Sequence, residues 1–473
     1  MKKTFFLFIT ILNGGFMYSQ IFQAVTNQTF QGVFYGDSAV ADFDNDGKTD
    51  FIISGAKPGY TGYSGLYKNN NGIFAENTNT ALSPIMYSAI AVGDLNGDNN
   101  QDFIVTGTKT GENSPIVFEI YYNNGDGSFT KNTTSGIPGV KYGSVAIADL
   151  TNDGLPDIVV NGNLGSQYIT KVFRQNQDGT FSDLNAGLLG TYFSAIKVFD
   201  ANADGNPDIL ITGLSTNYRP ETKLYINSGS GTFTEKTTTL PGIYISSIDA
   251  MDINGDGYPD LLISGTNYSR IPTLTIYTND GSGNFTIQEN GFTGIYNGNS
   301  KFIDYNNDGL IDIFSIGRNA NNENTVLLYK KNSNGTYTLD TENSAPIIAV
   351  YMSKGQWLDY DNDGDMDLLT IGFEDDNVAQ TRLYENKTIN DGNLNTVIFN
   401  KNDFKLYPNP TEGLINIKTR EAIKNISIYN HLGQLITTQK QTQFNLENLA
   451  NGIYMVRVDF ENGQTAKQKV IKN

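Results

Sequence analysis

Asp42-Phe43-Asp44-Asn45-Asp46-Gly47-Lys48-Thr49-Asp50 recurs in register six more times along this 473-residue chain. The later copies run Asp94 to Asp102, Asp149 to Asp157, Asp200 to Asp208, Asp252 to Asp260, Asp304 to Asp312 and Asp359 to Asp367. Their first aspartates stand 52, 55, 51, 52, 52 and 55 residues apart, a period that marks a propeller or solenoid rather than unrelated domains. An apolar run follows every copy, from Phe51-Ile52-Ile53 and Phe103-Ile104-Val105 to Leu368-Leu369. Short runs of this kind suit strands buried on both faces. Five residues after each last aspartate stands a glycine, from Gly55 and Gly107 to Gly372, which marks a turn or a close backbone approach.

A strand with one aromatic comes next in every repeat: Tyr67, Tyr121, Phe173, Tyr225, Tyr277, Tyr329 and Tyr384. Six repeats then make a Gly-x-aromatic turn into a further strand, whereas the seventh passes into a polar linker over 388–402. Phe74 and Phe129 each lie 20 residues before the next acidic loop, and Phe22 lies 20 residues before Asp42. Phe22 to Thr26 is therefore predicted to supply the missing outer strand. The expected fold is all-β: a seven-bladed β-propeller over 21–387, closed by its N-terminal strand, followed by a small C-terminal β-sandwich. Closure leaves only short, protected sheet edges. The alternative is an open β-solenoid, which borrows no strand from the other end.

Residues 1–20 carry Lys2 and Lys3, an apolar run from Phe5 to Leu12 and a polar end at Ser19-Gln20. This pattern predicts a secretory signal peptide. No other run reaches the ~20 apolar residues of a transmembrane helix. The chain has no cysteine, so an exported protein here ties its loops down without disulfides. The net charge is −18, with +3 on residues 403–473 and +2 on the leader, which leaves −23 on residues 21–402. That sign argues against nucleic acid as a partner and suits a holder of cations. The expected state is a monomer.

Oxygen donors at alternate positions of a tight loop are what a hard divalent cation needs. Position 1 is Asp42, Asp94, Asp149, Asp200, Asp252, Asp304 and Asp359; position 3 is Asp44, Asn96, Thr151, Asn202, Asn254, Asn306 and Asp361. Position 5 is Asp46, Asp98, Asp153, Asp204, Asp256, Asp308 and Asp363; position 9 is Asp50, Asp102, Asp157, Asp208, Asp260, Asp312 and Asp367. Ca²⁺ fits this donor set better than Mg²⁺ or zinc, and up to seven structural ions are expected. The alternative is a set of Asp/Asn-Gly hairpin turns without an ion, but a turn alone needs no carboxylates at positions 1, 5 and 9 of every copy. These residues and spacings resemble the FG-GAP/VCBS-type repeat family, the calcium-loop propellers also found in integrin α-subunit heads. The resemblance implies a structural ion between the first two strands of each blade. Thr151 and Asn99 depart from its pattern, so the resemblance does not imply full occupancy of the third and second loops.

Residues 403–473 change to short alternating strands, which suit a β-sandwich. Tyr407-Pro408-Asn409-Pro410-Thr411, Ile428-Tyr429-Asn430, Gly452-Ile453-Tyr454 and the basic end from Lys467 to Lys472 resemble the type A sorting domain of the type IX secretion system. This resemblance implies the secretion machinery as a partner, a Bacteroidetes-like Gram-negative source, and a location outside the cell or on its outer membrane. An immunoglobulin-like binding module is the plainer alternative.

The only histidine, His431, falls in that C-terminal region, so a Ser-His-Asp arrangement in the array is excluded. No catalytic pair is marked. Tyrosines stand seven or eight residues before each loop, at Tyr35, Tyr87, Tyr142, Tyr192, Tyr244, Tyr296 and Tyr351. They are expected either to wedge between blades or to ring a ligand-binding mouth opposite the acidic loops. Three residues before each loop, Lys197, Asp249, Lys301 and Gln356 replace the alanines of the first three repeats. They are expected to pair as salt bridges or to line a polar pocket. The leading function is non-enzymatic, adhesion-like binding of an extracellular glycan or protein. Its competitors are a polysaccharide lyase or hydrolase on the same scaffold and a structural spacer.

Overall fold

The computed structural model describes residues 20–110, 114–289, 291–374, 378–388 and 404–472, the last span without 410, 412, 420–421, 431–434, 448, 450–451 and 461–464. The expected signal peptide, apart from Gln20, the expected linker, apart from Thr388, and His431 lie outside the described residues. The chain divides into two compact units between residues 390 and 391. No described helix is long and apolar enough to cross a membrane.

The first unit is all-β and repeats a four-stranded antiparallel sheet seven times. The first sheet takes Phe34–Ala41, Asp50–Lys57, Thr61–Asn70 and Ile73–Glu76 in chain order. Five more sheets do the same, beginning at Met86–Gly93, Lys141–Ala148, Tyr192–Phe199, Tyr244–Met251 and Tyr296–Ile303. The seventh uses Tyr351–Leu358, Asp367–Phe373 and Ala379–Asn386, and its fourth strand is Phe22–Ala24. Phe22 pairs with Asn386 and Ala24 with Tyr384. First strands of consecutive sheets lie against one another, and that of the seventh lies against that of the first. The sheets therefore form a closed, propeller-like ring.

Each second strand is buried along nearly its whole length, as for Asp50–Lys57 and Asp102–Thr108, because both faces meet neighbouring sheets. The aromatic of the third strand stacks across it: Tyr67 lies on Phe51 at 4.7 Å and Tyr121 on Phe103 at 4.6 Å. Apolar cores sit between adjacent sheets. Phe43, Ile52 and Leu66 of the first repeat pack with Ile90, Phe103 and Tyr121 of the second. Phe51, Ile53 and Tyr67 pack with Leu369, Ile371 and Leu383 of the seventh, which seals the ring. The fixed glycine is a close approach rather than a turn. A Cβ on Gly107 would lie 2.6 Å from the Ile85 side chain and 2.7 Å from the Met86 carbonyl, where the first strand bulges toward it.

The second unit has a three-stranded sheet of Phe404–Tyr407, Leu414–Thr419 and Gln443–Asn445. A four-stranded sheet orders Leu435–Gln439, Ile423–Asn430, Gly452–Phe460 and Thr465–Lys472. Leu406, Ile415 and Phe444 of the first and Ile426, Val456 and Val458 of the second share one core.

Phe22 is 1% exposed and contacts Tyr305 and Trp357, with ring centroids at 6.2 and 5.9 Å. Phe22→Ala is expected to cost about 3–5 kcal/mol, read as a lower denaturant midpoint of the mature protein. An unchanged midpoint would mean that the N-terminal strand does not close the ring.

Candidate functional site

The acidic loops join the first and second strands of each sheet. The position 1 carboxylate accepts N–H groups from its own loop: Asp42 takes Asp46 N at 3.1 Å and Gly47 N at 2.8 Å. Position 6 takes a left-handed turn, at φ 83° for Gly47 and 67° for Asn99, which glycine and asparagine tolerate. Position 9 is held from two sides. Asp50 Oδ2 accepts Phe43 N at 3.0 Å, and its Oδ1 accepts Asn69 N from the third strand at 2.7 Å. The third-strand bond is present in all seven sheets, from Asn69 and Asn123 through Gln175, Asn227, Asn279 and Lys331 to Asn386.

The side chains of those same third-strand residues reach the preceding sheet. Asn123 Nδ2 donates to Phe43 O at 2.8 Å, Gln175 Nε2 to Leu95 O at 2.6 Å, and Asn227 Nδ2 to Leu150 O at 2.9 Å. Asn279 donates to Ala201 O, Lys331 Nζ to Ile253 O and Asn386 to Tyr305 O. Asn69 closes the circuit onto Tyr360 O of the seventh loop at 2.7 Å. Sequence reading passed over this set, although each member stands two residues after the third-strand aromatic, a register as regular as that of the aspartates.

Carboxylate oxygens of Asp42, Asp44 and Asp50 lie within 4.8 Å of one another, as do those of Asp359, Asp361 and Asp363. Oδ1 of Asp44 is buried without a hydrogen-bond donor. An all-oxygen donor set with a donorless buried carboxylate oxygen fits a hard cation such as Ca²⁺. Lysines also reach the first loop, Lys68 Nζ at 2.7 Å from Asp44 and Lys48 Nζ at 2.8 Å from Asp46, and four other loops are closed by amides. Amide nitrogens of Asn96, Asn202 and Asn254 donate to Asp98, Asp204 and Asp256 at 2.8–3.0 Å, and that of Asn306 to Asp312 at 2.9 Å. In the third loop, which has Thr151 at position 3, the Arg174 guanidinium binds Asp153 at 2.8 Å and supplies positive charge within the loop.

The opposite end of the first strands surrounds a cavity of about 290 Å³. Each first strand bulges there, and the residue seven before each loop adopts positive φ. These are Tyr35, Tyr87, Tyr142, Phe193, Ile245, Asn297 and Met352, at 47–53°, and all seven line the cavity. Left-handed backbone at a non-glycine residue costs about 1–3 kcal/mol and clusters at functional sites. The expected ring of seven tyrosines is therefore split. Tyr35, Tyr87 and Tyr142 lie on the cavity wall, whereas Tyr192, Tyr244, Tyr296 and Tyr351 fall one residue earlier and are not among its lining. A one-residue shift in a strand turns a side chain to the other face. Tyr192 stacks on Tyr168 at 4.1 Å, and Arg318 lies over Tyr351 at 3.5 Å.

Lys197, Lys301, Lys354 and Asp37 also line the cavity; Gln356 does not. Buried Asp249 stands behind, 2.8 Å from Lys197 Nζ and 3.5 Å from Lys301 Nζ. Burial works against its charge, but Lys301 and Lys197 outweigh it and hold the Asp249 carboxyl below the usual range. Burial lowers the Lys301 ammonium, which Asp249 partly offsets.

Burial also raises the position 9 carboxylates, with further push from the other loop aspartates: Asp50, Asp102, Asp208 and Asp260 to about 6, Asp312 to about 7 and Asp367 to about 8, against an ordinary 3.8. Between pH 3.8 and those values the folded chain binds protons that the unfolded chain does not, so these groups lose stability as pH rises through that window. Calcium-stripped protein is thus expected to show a higher urea midpoint at pH 5.5 than at pH 8, and added calcium to shrink or reverse the difference. The opposite order in stripped protein would show that the loop carboxylates are not strained by burial. Asn123→Ala is expected to cost about 1–3 kcal/mol of stability, read as a lower urea midpoint, because it leaves the buried Phe43 carbonyl without its amide donor; equal midpoints would remove the inter-sheet circuit from the account of stability.

The sequence model of the FG-GAP-like repeat matches residues 42–105, 106–160, 200–263 and 304–370, more than half of the chain. That of the secretion system C-terminal sorting domain matches residues 405–473. Integrin alpha-8 of Gallus gallus is 24% identical over 223 residues, 40% of this chain and 21% of that protein. T-cell immunomodulatory protein of Homo sapiens is 27% identical over 199 residues, 39% of this chain and 30% of that protein. The chain thus spans less than a third of the length of these relatives. Among solved structures, a mutant of Aleuria aurantia lectin in complex with alpha-methyl-L-fucoside is 10% identical, with a TM-score of 0.38 over 66% of this chain and 96% of that one. The fucose-specific lectin from Aleuria aurantia is 8% identical, with a TM-score of 0.39 over 65% of this chain and 96% of that one. The sorting domain marks the chain for export by the type IX system to the outer-membrane surface or the exterior of a Gram-negative bacterium. With the FG-GAP-like repeat matched over more than half of its length, the chain belongs to the FG-GAP-like repeat family.

Proposed function

We propose that this protein is a calcium-stabilised, seven-bladed β-propeller that binds an extracellular glycan or protein without chemical turnover. In this reading residues 1–20 are a signal peptide, 21–387 the propeller, 388–402 a linker and 403–473 a β-sandwich read by the secretion machinery; the exported protein is a monomer. Up to seven Ca²⁺ occupy the loops from Asp42 to Asp367, where they staple a chain without cysteine. The observation that carries the binding role is the cavity at the end of the first strands away from the loops, with an aromatic wall at Tyr35, Tyr87 and Tyr142. Aromatic faces bury large areas at small entropic cost and stack readily on flat apolar faces of a ligand. Asp37 and Asp249, the carboxylates beside the cavity, are engaged by lysines and backbone N–H groups. That engagement favours binding over acid–base work, which needs a carboxyl group within reach of the reacting bond.

A glycan array combined with a turnover screen on the calcium-loaded protein tests the role. Stable binding without product supports it, whereas released product without stable binding would make the protein a lyase or hydrolase. Metal analysis and melting test the loops. Each site held at ~100 times its Kd adds about 2.7 kcal/mol, so chelation is expected to lower the melting temperature by about 10 °C or more. Absence of bound calcium together with an unchanged melting temperature would remove the ions from the proposal.

A further inference from the structure

The cavity is neither symmetric nor neutral. The first four sheets give it a continuous aromatic wall, in which neighbouring ring centroids of Tyr35, Tyr87, Tyr142 and Phe193 are 5.0, 4.4 and 4.9 Å apart. The fourth, sixth and seventh sheets contribute Lys197, Lys301 and Lys354. Two carboxylates answer these three ammonium groups. Asp249 stands 2.8 Å from Lys197 and 3.5 Å from Lys301, and Asp37 stands 3.4 Å from Lys354. The last two separations exceed the ~2.7–2.9 Å of a close charge-assisted hydrogen bond, and an ammonium has three protons to give. The carboxylates are occupied elsewhere too: Asp249 Oδ2 accepts Phe302 N at 3.1 Å, and Asp37 accepts Ile90 N and Ser38 N at 3.0 Å each. One positive charge is left over in this cavity, within a region that carries −23.

Burial lowers the Lys301 ammonium, and Lys197 and Lys354 add to that through like-charge repulsion. The cluster thus gains from an anion placed among the lysines. A site walled by low-dielectric protein strengthens that attraction relative to open water. At about 290 Å³ the cavity stands at the lower end of ligand-pocket sizes, ~300–1,000 Å³, which suits one sugar unit rather than a length of polymer or a folded partner.

We propose that the cavity binds a sugar unit bearing an acid group, its ring face against the Tyr35–Phe193 wall and its carboxylate or sulfate ester at Lys301 and Lys354. This rests on the glycan-binding reading above and narrows it to anionic glycans. A lysine ammonium acts as a point charge and accepts either acid group, so the two sources are separated by experiment.

Calorimetry on the calcium-loaded mature protein, with matched oligosaccharides, tests the proposal. The arms are uronate oligomers, sulfated galactan oligomers, their neutral counterparts and a short polyglutamate. Binding to a uronate or sulfated arm at least 10-fold tighter than to its neutral counterpart, weakening as salt rises, is expected; the tighter arm names the acid group. Lys354→Gln, on a side chain 43% exposed, is expected to remove most of that preference while leaving the melting temperature near that of the parent. Tyr87→Ala, at a ring 6% exposed that also packs against Tyr35 and Tyr142, is expected to weaken acidic and neutral arms alike and is scored only where its melting temperature is retained. Lys301→Gln serves as a second cationic variant, scored only where its melting temperature is retained. Equal affinity for acidic and neutral sugars, or polyglutamate binding as tightly as the acidic sugars, would overturn the proposal and leave the wider binding role standing. No binding to any arm, with turnover in the screen, would overturn both.

Discussion

Seven buried aspartates, from Asp50 to Asp367, each accept the backbone N–H of a residue on the third strand of their own sheet. The side chain of that residue then donates to the loop carbonyl of the preceding sheet. One carboxylate thus ties loop to sheet, and one side chain ties sheet to sheet, around the full circle. Burying a carboxylate is unfavourable unless its lone pairs are met, and here two backbone donors meet them in six sheets, while Asp312 takes Lys331 N and the Asn306 side-chain amide. The apolar cores between sheets depend on this arrangement, because it fixes the height at which neighbouring strands face one another. Removing either partner leaves a buried group unsatisfied, which costs more than the bond itself contributes.

The regular parts of this fold were legible in the sequence because each repeat solves the same problem with the same residues. Acidic loops, buried second strands and the aromatic third strand all appear at fixed offsets, and the 20-residue interval between Phe22 and Asp42 corresponds to a strand paired with Ala379–Asn386. Asn123 and its counterparts were overlooked because an amide two residues beyond an aromatic resembles any polar strand end. Its partner lies 80 residues away at Phe43, and a periodic pattern gives no pairing across that gap. The cavity was half legible. Lys197, Asp249 and Lys301 stood out against alanines, but Asp37 and Lys354, one pleat nearer the mouth, did not.

The tyrosines show how a one-residue offset defeats a spacing argument. Counting back from each loop gives a tyrosine at seven residues in three repeats and at eight in four. A tolerance of one residue is harmless in a loop and decisive in a strand, since it reverses the face presented. All seven first strands bulge alike, so the one-residue offset alone leaves Tyr87 on the cavity wall and Tyr192 against Tyr168. Repeats that look alike on paper therefore differ where a ligand would meet them. At the loop end the position 9 carboxylate keeps the same third-strand backbone partner in every sheet, while position 3 varies.

The borrowed strand has a consequence for how the array comes apart. Thr381 bonds to Gln31, 350 residues earlier in the chain. Loop-closure entropy grows by only about 0.6 kcal/mol per doubling of length, so joining the two ends costs roughly 2 kcal/mol more than joining neighbouring repeats. An open stack of repeats frays from its ends and loses its units nearly one by one. A closed ring has no terminal repeat from which fraying begins. One seam, where Phe22–Ala24 pairs with Ala379–Asn386 and the first sheet packs on the seventh, has to part before the sheets become an open stack with two exposed faces. The array is in this sense a cooperative unit, closed by a borrowed strand and by the contacts of the first sheet with the seventh.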